Sequence, residues 1–186
     1  MGKQVIEKVE PLRTKEEINN MREALNQTKY AKRNLLLFNI GINTGLRISD
    51  MLKLRIEDVK GKASVNIREK KTEKVRKVYL DVLMANIANY LEDKPDIGYL
   101  FESRFEGQPI TTVQAYRILS IAGDQCGYDY VGTHTLRKTF GYHYYKKTRD
   151  IATLMEIFNH ASQSITKRYI GIRDDEIKDS LKDFKL

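Results

Sequence analysis

Apolar residues recur along most of this chain at helical spacing, and along one stretch at every second position. Thr14-Lys15-Glu16-Glu17 reads as a capping box, in which the Thr hydroxyl and the Glu17 carboxylate satisfy end amides; it opens a helix through about Asn26. A second helix carries Leu35, Leu36, Phe38, Ile40 and Ile42 inward and stops at Thr44-Gly45, where glycine tolerates a left-handed backbone. A short helix follows over 48–54. Between 63 and 80 the period falls to two, with Val65 and Ile67 before a turn and Val75, Val78 and Tyr79 after it. That pattern predicts an antiparallel hairpin, joined by a short third strand near 98–101. Further helices are expected over 81–91, 112–125, 136–147, 151–158, 165–170 and 174–184. The fold class is therefore α+β, mainly α-helical with a small antiparallel β-sheet. Prolines stand singly at 11, 95 and 109, and no repeat or linker interrupts the chain, so residues 1–186 read as one domain.

Composition adds a sign. The 33 Lys and Arg against 25 Asp and Glu give a formal charge of +8, which favours a polyanionic partner without naming one. From Lys53 to Tyr79 there are ten basic residues against four acids, so the hairpin region holds most of that excess. Lysines on a strand edge also deter aggregation, so the patch reads either as an ordinary solvated edge or as a ribbon lying against phosphates. Cys126 is the single cysteine, which excludes an internal disulfide and suits a reducing, cytoplasmic setting. The apolar run over 35–42, broken by Asn39 and Gly41, is too short to span a bilayer, so no membrane partner is expected.

Four short segments carry candidate chemistry. Thr44-Gly45-Leu46-Arg47-Ile48-Ser49-Asp50 sets an arginine after a helix-ending glycine with an acid three residues on, a spacing that by itself suits a weak surface pair. In His134-Thr135-Leu136-Arg137 the imidazole and guanidinium share one face of a helix start. Asn159-His160-Ala161-Ser162 and Lys167-Arg168-Tyr169-Ile170 complete the set. Any one of them arises by chance, and Tyr169 is one of eleven tyrosines.

In order, however, TGLRISD, a basic hairpin with Lys71-Thr72, HTLRKTFGYH, NHAS and RYIG resemble the tyrosine recombinase or phage integrase family. The family's series of Arg, Lys, His-x-x-Arg, His or Trp, and Tyr falls here on Arg47, Lys71, His134, Arg137, His160 and Tyr169. The intervals of 32 residues from Arg137 to Tyr169 and nine from His160 to Tyr169 also match. The resemblance runs from about residue 9 to the C-terminus. Two departures stand beside it: Phe158-Asn159-His160 replaces the usual Leu-Gly-His, and Lys138 follows Arg137 where many relatives have His. Lys71 is preferred to Lys70 and Lys74 because Lys-Thr at the end of a first strand is a familiar form of the motif. Alternation sends Lys70 to the opposite face.

The resemblance implies the catalytic-domain fold of DNA breaking-rejoining enzymes and a transesterification in which Tyr169 attacks a phosphodiester to leave a 3′-phosphotyrosyl link. His134 would assist proton removal, Arg47, Arg137 and His160 would hold the non-bridging oxygens, and Lys71 would protonate the leaving 5′ oxygen. Asp50 would steady Arg47. No metal and no cofactor are implied. The partner would be double-stranded DNA at recombination sites, met by Arg68, Lys70, Lys74, Arg76 and Lys138. Relatives carry a core-binding domain ahead of the catalytic one. Here about a dozen residues precede the first helix, so that domain is expected to be absent, either cut away or never present. A monomer is expected in isolation, with a dimer or tetramer on DNA joined by the amphipathic stretch 174–184. Two rivals share these features: a DNA-binding regulator with an idle site, and a type IB topoisomerase. Target site, accessory factors and the choice among integration, excision and dimer resolution stay open.

Overall fold

The computed structural model describes residues 9–69, 73–105, 107–172, 178–179, 181–182 and 184–185. Lys70 and Lys71 lie outside the described residues, as does most of the helix expected over 174–184.

The capping box forms as expected. Glu17 N–H donates to Thr14 Oγ1 at 3.0 Å and Thr14 N–H to Glu17 Oε2 at 2.8 Å, which opens α1 (Lys15–Asn26). The central helix α2 (Ala31–Thr44) is apolar on two sides. Leu36, Leu37 and Ile40 enter one core cluster and Phe38 a second, while Leu35 and Ile42 are only half-buried. Leu37, not anticipated as a core position, is thus fully buried: a helix between two cores keeps only a narrow outer stripe, here Lys32, Leu35, Asn39 and Asn43. α2 ends where Gly45 turns left-handed (φ 62°), and its N–H donates to Gly41 O.

The helix expected over 48–54 stops early as α3 (Ile48–Met51), and a further short helix that was not expected, α4 (Ile56–Val59), follows after an extended Arg55. Strands β1 (Ser64–Arg68) and β2 (Val75–Tyr79) pair antiparallel in the register Val65↔Val78 and Ile67↔Arg76. Because side chains alternate, Val65, Ile67, Arg76 and Val78 face inward, and Val75 and Tyr79 are 60% and 66% exposed. Among the described residues the sheet has these two strands alone. The third strand expected near 98–101 is a single bridge, Arg55↔Tyr99, because the partner segment coils into α4 after one pairing.

A 3-10 turn (Asp81–Leu83) leads into α5 (Met84–Leu91), followed by α6 (Thr112–Gln125), α7 (Thr133–Thr148), α8 (Ile151–Phe158) and α9 (Gln163–Tyr169). α7 begins three residues earlier than its apolar pattern, at an N-cap on Gly132 whose N–H donates to Thr135 Oγ1. His134 is thereby in the first turn. A third cluster, with Tyr142 and Tyr145 of α7, Leu154 and Phe158 of α8, and Ile170 and Ile172, seats α9 against α7 and α8.

Candidate active site

Helix ends build the site. Asn159 closes α8 in the left-handed region (φ 49°), turning the chain so that His160 N–H donates to Met155 O. Asparagine is the side chain that best tolerates this backbone apart from glycine, which accounts for Asn159 at the usual glycine position. The turn leaves the last carbonyls of α8, at the negative end of its dipole, facing arginines. Phe158 O accepts from Arg137 Nη2 at 3.0 Å and from Arg47 Nη2 at 3.5 Å, and Ile157 O accepts from Arg76 at 3.2 Å. Arg137, 3% exposed in α7, also donates to Gly45 O and lies 4.2 Å over the Phe158 ring. Burial lowers its pKa to about 10, which still leaves it charged at neutral pH.

Arg47 is the extended N-cap of α3 (φ −69°, ψ 144°), so its side chain leaves the helix instead of lying along it. Its Nη1 meets Glu69 Oε2, at the end of β1, at 2.7 Å. Sequence spacing had assigned that partnership to Asp50. Asp50 is buried in α3, close enough for its charge to act on Arg76. Alternation could have found Glu69, since it continues the inward series Val65, Ile67.

Tyr169 is the last residue of α9, a helix that Ser162 caps by accepting from Ile165 N–H. Its hydroxyl lies 3.3 Å from His134 Nδ1. Its ring packs edge-on against Phe158 and His160, with centroids 5.6 and 5.2 Å away. Burial raises the pKa of the phenol, and Arg137 and Arg47 pull it back only in part, so the resting group is neutral. His160 Nδ1 is 3.1 Å from the hydroxyl of buried Thr166, which fixes the ring. The structure thus brings together Arg47, His134, Arg137, His160 and Tyr169, from α3, α7, the α8–α9 turn and α9.

The residues expected to meet DNA divide. Arg68 and Lys74 are exposed on the hairpin, the former reaching Glu73 O at 3.4 Å and the latter Asn159 Oδ1 at 2.9 Å. Arg76 points inward to carbonyls, contrary to its expected place on the surface, because it occupies the face shared with Val78. Lys138 donates to Val9 O and stands 5.4 Å over the Tyr169 ring.

The phage integrase family model matches residues 12–176. A probable integrase/recombinase of Bacillus subtilis, YoeC, is 46% identical over 177 residues, covering 95% of this chain and 97% of its own length. The fold matches the crystal structure of XerA recombinase with a TM-score of 0.74 at 24% identity, covering 93% of this chain and 65% of that one. It also matches XerH site-specific recombinase in a post-cleavage complex with a palindromic difH substrate, with a TM-score of 0.73 at 22% identity, over 98% of this chain and 54% of that one.

Proposed function

This chain belongs to the phage integrase family of tyrosine recombinases, and on that premise we propose that it cleaves and rejoins duplex DNA through a covalent bond between Tyr169 and a 3′ phosphate. One observation carries the reading: a half-buried, neutral phenol 3.3 Å from an imidazole and within the field of two guanidiniums that converge on one carbonyl.

Tyr169 Oη attacks phosphorus while its proton passes to His134. Arg47 and Arg137 receive the non-bridging oxygens as charge builds on them, where loss of one preorganised donor costs about 3 kcal/mol. His160 adds a donor. The leaving 5′ oxygen takes a proton from Lys71, a task suited to an ammonium that can give one up. The phosphotyrosyl ester conserves the energy of the broken bond, so the free 5′ hydroxyl of either strand can reverse the step without ATP. Arginines supply the positive charge, so the scheme contains no metal step.

Arg68 and Lys74, exposed on the hairpin, supply positive charge for the phosphate backbone, to which Lys70 adds by its charge, so binding is salt-sensitive. Leu181 and Phe184, 58% and 67% exposed, suit a stretch that docks on a neighbouring protomer once DNA assembles the ring.

A pool of nicked duplexes, randomised around the nick so that the cleaved end diffuses away, tests the reading. An SDS-resistant protein–DNA adduct with the parent, absent in Tyr169→Phe, is expected. DNA binding without an adduct would instead mark a regulator with an idle site.

A further inference from the structure

Arg76 lies opposite Ile67 on the inner face of the hairpin, between exposed Val75 and Lys77. Its Nη2 donates to Thr44 O at 2.8 Å and its Nη1 to Ile157 O at 3.2 Å. Both acceptors are helix-end carbonyls that lack a partner within their own helices. Thr44 ends α2, three residues before Arg47. Ile157 precedes Phe158, whose carbonyl receives both Arg47 and Arg137, and stands three residues before His160. Three segments distant in sequence therefore meet on one side chain. The neighbouring strand adds a second grip, since Glu69 holds Arg47 directly. A planar fork spans two carbonyls at once, whereas an ammonium acts as a single point.

We infer that Arg76 is a positioning residue for the recombination chemistry: by tying Thr44 O to Ile157 O, it sets how Arg47, Arg137 and His160 meet the two non-bridging oxygens of the scissile phosphate. The inference rests on the reading of Tyr169 as nucleophile given above. It takes Arg76 out of the set of direct DNA contacts. The charges around it fit the role, because Glu69 and Asp50 sustain a guanidinium that burial and Arg47 disfavour.

The test uses a nicked duplex recovered in adduct form from the randomised pool, synthesised with either an Rp or an Sp phosphorothioate at the scissile linkage. The parent chain, Arg76→Gln and Arg76→Lys are compared for thermal unfolding, DNA affinity at several salt concentrations, and single-turnover adduct formation at saturating protein. The expected result is a rate lowered tenfold or more in Arg76→Gln and fivefold or more in Arg76→Lys, with affinity within twofold of the parent at every salt concentration. The Rp/Sp rate ratio, which reports how the guanidiniums grip each oxygen, shifts at least threefold in both variants. Loss of folded protein alone lowers the rate and leaves that ratio unchanged, and an unchanged ratio overturns the inference. Weaker affinity with a shallower salt dependence at an unchanged saturating rate also overturns it, by making Arg76 a DNA contact. So does full recovery in Arg76→Lys, which would reduce the role to charge. Should Arg76→Gln fail to fold, Arg76→Lys carries the same comparison. If the parent forms no adduct, or Tyr169→Phe retains it, the nucleophile reading fails and this inference with it; a Tyr169-dependent adduct with an unshifted ratio sinks the inference alone.

Discussion

The Glu69 carboxylate meets the Arg47 guanidinium at 2.7 Å across 22 residues of sequence, joining the end of the first strand to the first turn after α2. With 4% of its side chain exposed against 19% for Arg47, the acid is the more buried partner. Its removal leaves a guanidinium partly withdrawn from water without this counter-charge. Glu69→Ala should therefore destabilise the chain by about 3 kcal/mol, the lower end of the cost of breaking a buried pair. Glu69→Gln, which keeps an acceptor oxygen, should cost less. Urea unfolding of both variants checks the order.

Asn159 holds φ 49° at the end of α8 and accepts from Lys74 Nζ through its side chain. Asn159→Gly keeps the backbone and loses only an exposed contact, so its stability should stay within about 0.5 kcal/mol of the parent. Asn159→Ala keeps the Cβ in the left-handed region but loses the short amide whose local hydrogen bonding offsets its cost there, and should cost about 1 kcal/mol. Thermal unfolding distinguishes them, and an Ala variant as stable as the Gly variant would show that the strain is relieved elsewhere.

Gly141 is where α7 lets the nucleophile helix approach. A Cβ there would lie 2.6 Å from Ile170 Cγ2 and 2.8 Å from the Phe158 ring. Neither neighbour is the loose end of a flexible chain; both belong to the cluster that seats Tyr169. Gly141→Ala should cost about 1–3 kcal/mol through overpacking and slow adduct formation as Tyr169 shifts. Chemical denaturation and single-turnover cleavage measured together check whether both effects appear.

Alkali should destabilise the chain through three phenols partly or wholly withdrawn from water. Burial raises the pKa of Tyr169, that of Tyr90 to about 12, and that of Tyr130, where a hydrogen bond to Glu17 adds to it. Each folded-state pKa exceeds the unfolded value of 10.0, so the folded chain binds more protons above that pH. The stabilisation is fully present below pH 10.0 and is lost as pH climbs toward the raised values. Urea midpoints should fall above about pH 10 and fall less in Tyr169→Phe. The same neutral phenol makes cleavage depend on a base, so single-turnover cleavage should slow in His134→Gln, which keeps a polar side chain that cannot take up the proton.

Local signals carried most of the architecture. The Thr14–Glu17 box, the stop at Gly45 and the helices Thr112–Gln125 and Ile151–Phe158 follow from capping groups and apolar spacing, which act within a few residues. The ordered motif likewise brought five of its positions into one site. What the sequence did not disclose depends on partners far along the chain. Helical spacing paired Arg47 with Asp50, but Arg47 is an extended N-cap, so a rule for side chains along a helix does not apply to it. Arg76 counted as a surface cation until its register opposite Ile67 turned it inward. The carbonyls of Ile157 and Phe158, which gather three guanidiniums, carry no side-chain signature at all.

Mass spectrometry of the trapped adduct tests the central claim most directly. The parent chain is incubated with the nicked-duplex pool in EDTA, denatured, and digested with nuclease and protease before peptide sequencing. The account predicts a 3′-nucleotide phosphate on the Tyr169 hydroxyl and on no other residue. A nucleotide on any other side chain, or an adduct that forms only when a divalent metal is restored, would contradict it.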